Sequence, residues 1–504
     1  MPRRVIFLLS ILALALLGTA VAPWTLSSGG LAASVGRQFR DNYGLDLSVA
    51  GRSTFALLPV PRVKFEGISL ASDDGVAVER GVLRGELRLL PLLLGRVELA
   101  EAALSDARVV LRGDGAKLAS DMWLAALKRV ASDKASIRRL ILTNTEVEGP
   151  RGALEAVNLV LNWPVRAGPL YAAGTVAWRG ERISIADATI TPSTLTSGRP
   201  APFTLDLSAP AGRAKVVGEA QIGSDPRITG HSDVQIRSVR DLARWSGLDL
   251  PLGSLIQAAA IEGDFSADRR RISWPSVAAT LGEDRLEGTL AMRFDNGRPV
   301  VTGTLAAERV DLSNFFAPFT QARTSSGLWS GEDASVLAAT GGDLDLRLSA
   351  TNARIGRLRF GDMAASVIVR PGRIEASLGR ASLNKGTFKG RLSLAAVSDG
   401  TDFKAQGTFE NVDAAGFLSD LGQGRWLAGQ AQGQFVLETS GGTIADLVRQ
   451  SHGRTTINVK QGELIGVSLN EALKRVEKRP LAASLDWKGG RTPFELIHVV
   501  LNVG

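Results

Sequence analysis

The sequence predicts a mainly β protein: an amino-terminal transmembrane helix followed by a long antiparallel sheet with a few short helices. Three observations carry this. Most of the chain beyond Leu45 alternates apolar and polar residues with period two, the pattern of strands with one wet and one covered face. The 55 glycines supply turns and bulges between these runs. Helical periodicity is confined to a few short segments.

The chain opens with "MPRRVIFLLSILALALLGTAVAPW", in which Arg3 and Arg4 precede an uncharged run from Val5 to Ala22. Its apolar side chains are Val5, Ile6, Phe7, Leu8, Leu9, Ile11, Leu12, Leu14, Leu16, Leu17 and Val21. As a helix the run reaches roughly 27 Å, close to the hydrocarbon thickness of a bilayer. The competing reading is a cleaved signal peptide ending at Ala20-Val21-Ala22. Pro23 is a poor residue to follow a scissile bond, which favours an uncleaved, single-pass anchor over residues 1–23. With the arginines held inside, everything after Trp24 is exported.

"GGLAASVGRQFRDNYG" places Leu31, Val35 and Phe39 at helical spacing, with Arg37 and Arg40 on other faces, and stops near Gly44. Such a helix either caps a core or lies on a membrane surface. In "LLPVPRVKFEGISL", Leu57 to Leu70, Val63 and Phe65 point one way and Arg62, Lys64 and Glu66 the other. At Gly67 the phase slips by one residue, so that Ile68 and Leu70 take up the apolar positions. That slip predicts a bulge near Gly67 that bends the strand.

Further strands are expected in "VAVERGVLRGELRLL" (Val76 to Leu90), "RVELAEAALSDARVVL" (Arg96 to Leu111), "FTLDLSA" (Phe203 to Ala209), "HSDVQIRSV" (His231 to Val239) and "GDLDLRLSA" (Gly342 to Ala350). The clearest helix after the first is near 117–134, where Trp123, Leu127 and Val130 share a face. Three segments repeat a motif in which a strand runs through a valine and one polar residue into a short helix. Aligning Val239, Val310 and Val412 puts Arg240, Asp311 and Asp413 at the following position. The unequal spacing describes a loose repeat with insertions, and such an array grows a sheet by addition of units.

Composition narrows the chemistry. The balance of 59 basic and 51 acidic residues, a net of +8, contains no single basic block, so nucleic acid is not an expected partner. With no cysteine in the chain, disulfides, thiolate catalysis and the usual structural zinc are excluded. The three histidines, His231, His452 and His498, are far apart and read as ordinary polar residues. Asp343 and Asp345 form a DxD pair, yet they alternate with Leu344 and Leu346 as the solvent face of a strand does. Asp73 and Asp74 precede Gly75 in a turn. Gly441 to Thr443 opens a short helix, Ile444 to Gln450, but lacks the lysine of a phosphate-binding loop. No Ser/His/Asp grouping appears at an informative spacing, so no enzyme, cofactor or metal site is expected.

The chain resembles the AsmA family of inner-membrane-anchored periplasmic proteins of Gram-negative bacteria, which is related to TamB. The likeness rests on the anchor with "GLDLSVAGRSTFALLPVPRVKFEGISLAS", on "LRLLPLLLGRVELAEAALSDARVVLRGDG" (Leu87 to Gly115), on the strand-to-helix repeat, and on the stretch from Leu427 to Leu473. On this resemblance the chain divides into an anchor at 1–23, an amino-terminal β region at 24–156, a repetitive sheet at 157–425 and a carboxy-terminal region at 426–504. The last stops within an expected strand, "ELIHVVLNVG", where the family domain continues. The family implies a long, strongly curved antiparallel sheet of the repeating β-groove type. It also implies a role in outer-membrane biogenesis, by carrying or controlling phospholipid transfer between the membranes; the alternative is a scaffold assisting outer-membrane protein assembly. The implied partners are the inner membrane, phospholipid as cargo and an outer-membrane protein. Val63, Phe65, Ile68 and Leu70 are the candidate groove-lining residues, near the membrane end. The bland alternative, that the apolar face is an ordinary sandwich core, is one that composition does not separate from a groove.

Overall fold

The computed structural model describes residues 24–26, 30–72, 75–94, 96–111, 127–128, 131, 137–149, 152–165, 167–223, 225–320, 328–468 and 488–504. The expected anchor at 1–23 lies outside the described residues, as do Asp73 and Asp74. So does the helix expected near 117–134, apart from Leu127, Lys128 and Ala131. No helix among the described residues is long and apolar enough to cross a membrane. The chain gathers into two compact units, Met1–Val234 and Gln235–Gly504. Residues 156 and 157, on either side of an expected boundary, lie within the strand Gly152–Asn162.

The first unit is built around the strand Val76–Leu87, which pairs with Arg62–Glu66 and Ile68–Ala71 on one side and with Leu99–Leu111 on the other. Leu99–Leu111 then runs parallel to Arg139–Gly149. From there each strand pairs antiparallel with the next through Gly152–Asn162, Leu170–Trp178, Glu181–Ile190, Ala201–Ala209 and Gly212–Gln221. The helix Gly30–Tyr43 lies on the early strands, and Val35, Phe39 and Tyr43 are buried in their core. Gly44, at a φ of 61°, ends the helix, its N–H bonded to Arg40 O at 3.0 Å. Two further polar links tie the helix down: Tyr43 Oη accepts from the N–H of Ile137 at 3.0 Å and Gln38 Oε1 from that of Leu99 at 3.2 Å. Of the two readings of this helix, the core cap is the one observed.

In the second unit, strands from Ala259–Ala267 to Arg298–Asp311 pair in antiparallel succession. Arg298–Asp311 then lies parallel to Asp343–Ile355, and hairpins follow in order to Lys488–Val503. Among the described residues each unit therefore carries a mostly antiparallel sheet with one parallel pair, where alternation alone predicted antiparallel pairing throughout. A parallel neighbour needs a crossover of about a dozen residues or more. The chain supplies it at 112–138 and at 312–342, and the second insertion accounts for the longer spacing from Val310 to Val412.

The repeat itself is a packing device. Val239, Val310 and Val412 are all buried where their segments turn into the helices Val239–Ser246, Ser313–Thr320 and Ala414–Asp420. Beside each valine a short polar side chain caps the helix. Ser238 Oγ accepts from the N–H of Asp241 at 3.1 Å, Asp311 Oδ1 from that of Ser313 at 2.9 Å, and Asp413 Oδ1 from that of Ala415 at 3.1 Å. The Gly441–Thr443 turn does the same for Ile444–Arg449, with Thr443 Oγ1 accepting from the N–H of Asp446 at 3.1 Å.

The phase slip at Gly67 is present and takes a form the sequence did not predict. Gly67 sits at a φ of 61° between two short strands, and Ala50 N–H donates to its carbonyl at 3.1 Å. The register against Val76–Leu87 is unbroken, from Glu66↔Val82 to Leu70↔Val78, because that strand changes phase in step through Gly81. The shift is passed outward as a seam of residues with positive φ in successive strands, Asp106, Asn144 and Ala156. Side chains close this seam: Asn144 Nδ2 donates to Asp106 Oδ1 at 2.7 Å, and Asn144 N–H to Asn158 Oδ1 at 2.9 Å. Each such irregularity bends its strand and increases the local twist.

Candidate functional site: an unsealed apolar sheet face

Val63, Phe65, Ile68 and Leu70 do share one face, and they are 3, 1, 1 and 6% exposed. They pack with Val35, Phe39 and Tyr43 of the first helix and with Leu83, Leu99 and Leu104. These four side chains are thus parts of a buried core. On their reverse side Lys64 pairs with Glu66, whose carboxyl that ammonium holds below its ordinary range.

The open apolar surface of this unit lies further along the sheet. Cross-strand register lines up two rows of side chains. One runs Leu140, Leu161, Ala172, Ala188, Leu205, Val216. The other runs Leu142, Leu159, Gly174, Ile185, Leu207, Ala214. Both begin at the margin of the closed core, against which Leu140 and Leu142 pack. Every residue in the two rows is half-buried, and none reaches the burial of the core. Residues whose sides are covered by sheet neighbours but whose tips are not sealed by a further layer show this intermediate burial.

The rows stay open for a local reason. Four of their twelve members are Ala or Gly, which breaks any continuous ridge that could meet another layer. Gly174, at a φ of 145°, brings the backbones of neighbouring strands close, and a Cβ there would lie 2.0 Å from Asn158 O. The reverse face is wet and cross-linked. Arg213 donates to Asp206 at 2.8 Å and holds its carboxyl below the ordinary range, while Thr204 Oγ1 donates to Asp187 Oδ2 at 2.8 Å. That difference fixes which face meets water.

The second unit contains both kinds of surface. Ala279, Leu286, Ala307, Ala350 and Met363 form a register row that is fully buried within a core also holding Leu305, Phe360 and Ala381. Later strands carry a half-buried row, Phe388, Phe409, Gly433, Ile457 and Val499. Phe388 and Phe435 stack with ring centroids 6.3 Å apart. The final strand, Lys488–Val503, pairs on one side with His452–Val467 and exposes Leu496, Val500, Leu501 and Val503.

The polar residues singled out in the sequence have structural partners. Asp343 accepts from Arg298 Nε at 2.8 Å and lies 3.4 Å from Arg370 Nη1, while Asp345 is exposed. His452 Nδ1 lies 3.2 Å from Gln450 O and His498 Nδ1 2.6 Å from Asn458 Oδ1, on separate strands. Among the described residues no group of three or more His, Cys, Asp or Glu is placed to hold a metal ion. What sequence reasoning missed is the extent of the open face. A third of its row positions are alanine or glycine, and only cross-strand register assembles them.

In comparison with known proteins, the model of the AsmA family matches residues 276–504, which lie within the second unit. No curated protein and no solved structure matches the chain.

Proposed function

With residues 276–504 matching the model of the AsmA family, we propose that this is a non-enzymatic, single-pass protein of the bacterial inner membrane with its bulk in the periplasm. It takes part in outer-membrane biogenesis and carries or controls the transfer of phospholipid over an apolar sheet face. The single observation that carries this reading is the pair of half-buried rows from Leu140 to Val216 and from Leu142 to Ala214. An acyl chain exposed to water loses about 0.8 kcal/mol per CH2, so passage through a wet compartment needs an unbroken apolar surface. A sheet face that is polar behind offers one without a filled interior.

The test uses the full chain, delipidated and mixed with fluorescent phospholipid. Wild type is expected to take up lipid, and the pair Leu205→Glu with Val216→Glu to lose about tenfold or more in uptake, since two carboxylates would stand in the acyl path. Val160→Glu, on the exposed reverse face, is expected to keep wild-type uptake. No uptake by wild type, or equal uptake by the paired variant with unchanged circular dichroism, overturns the reading.

The exposed apolar side chains Leu496, Val500, Leu501 and Val503 favour a second reading, a scaffold that assists outer-membrane protein assembly. Under it, Val500→Pro would abolish partner binding while lipid uptake stayed intact.

A further inference from the structure

Strand order brings several loops of the first unit to one end. The turn after Val76–Leu87 forms the five-residue helix Leu89–Leu93, none of whose residues is buried. Leu90, Leu93 and Leu94 are 77, 74 and 75% exposed. The turn is nonetheless fixed, because Leu92 packs on the core and the N–H groups of Leu94 and Arg96 donate to Pro91 O at 3.0 and 2.8 Å. Beside it lies the loop after Ser53–Ala56, joined by the N–H of Leu87 donating to Pro61 O at 2.7 Å, and this loop exposes Leu57 and Val60. The pairings Glu101↔Arg139 and Arg139↔Asn162 bring the loop with exposed Val165 to the same end. A soluble surface has no use for such a group of ordered, exposed leucines.

Two further observations identify what covers them. Trp24 pairs with Phe55 and Leu26 with Ser53, so the chain before Trp24 leaves the sheet at this same end. That chain is the apolar run from Val5 to Ala22, the segment read as a membrane anchor. Exposed arginines also ring the leucines: Arg62, Arg96 and Arg138 stand at this end, beside Arg88 and Arg139, which pair with Glu98 and Glu101.

We propose that this end of the first unit is a membrane seat, in which the leucine turn inserts into the interfacial layer of an anionic bilayer and the arginines meet the lipid phosphates. Long cationic side chains around an apolar tip suit that layer, where the tip sits in the acyl boundary and the charges stay at headgroup level. The seat goes beyond the cargo proposed above, since it fixes how the unit meets the bilayer whatever its open face carries.

The chain has no cysteine, so single substitutions Leu90→Cys, Leu93→Cys and, at the far end, Ala153→Cys each give one labelling site. The full-length variants, carrying an environment-sensitive fluorophore, are reconstituted into phosphatidylglycerol-containing vesicles with and without brominated acyl chains. Labels at 90 and 93 are expected to shift to the blue and to be quenched about twofold or more by the brominated lipid, and the label at 153 to stay in water. Adding Arg96→Glu with Arg138→Glu is expected to reduce that quenching. Water-like emission at 90 and 93 overturns the seat. Shielding at those positions without lipid quenching also overturns it and assigns the turn to a protein partner.

Discussion

Asp311 shows how single side chains hold the sheet together where its direction changes. It stands at the end of the parallel pair, receives bonds from Arg354 and from the N–H of Ser313, and is held down to a pKa of about 2, chiefly by the Arg354 guanidinium. A carboxyl depressed in the folded state adds stability that is full above its unfolded value of about 3.9 and is lost as the pH falls through the folded value. The pair is solvent-accessible, at 59 and 37% side-chain exposure, so screening reduces the contribution to roughly 1 kcal/mol. Asp311→Asn is therefore expected to lose roughly that much stability near neutral pH and little at about pH 2, read as urea midpoints across that range. A constant difference between variant and wild type would refute the linkage. The aspartate was legible in the sequence as the polar residue after a repeated valine. Its arginine was not, because Arg354 is brought alongside only by the parallel register Asp311↔Arg354.

The repeated strand-to-helix junction is the unit from which the second sheet is assembled. Its buried valine fills the space beneath the turn, and its capping side chain satisfies helix N–H groups that have no partner within the helix. Asp413→Ala is expected to cost about 1 kcal/mol and Asp413→Asn much less, since asparagine still accepts the bond from Ala415. Equal losses in thermal unfolding would show that charge and not the cap matters there. This junction could be read in advance because it is local, a pattern of neighbours along the chain. The seam of positive-φ residues through Asp106, Asn144 and Ala156 could not, since it uses few glycines and exists only across strands. Aspartate and asparagine tolerate the left-handed region well enough to serve there.

At the level of the whole molecule, closed cores and open faces are built from the same alternation. Phe65 and Leu205 each occupy the apolar side of a strand, yet one is sealed beneath a helix and the other is half-buried. Phe65→Ala is expected to cost about 3–5 kcal/mol, because it leaves a cavity in a packed core. Leu205→Ala is expected to cost about 1 kcal/mol or less, since its removed atoms were partly in water already. Similar losses at the two positions in chemical denaturation would mean that the second face is sealed as well.

The strands, their wet and dry sides, the first helix and the repeated valines were all determined by the sequence, because each follows from spacing along one stretch of chain. Which dry face is covered was decided only by the tertiary structure. Apolar area leaving water gains about 25 cal/mol per Å2 whether it meets a helix, another sheet or a ligand, so alternation records the preference for cover and not the identity of what covers. Val63 and Phe65 went to the helix Gly30–Tyr43, and the rows ending at Val216 and Ala214 were left open, because strand register and the two parallel crossovers set where each face lies.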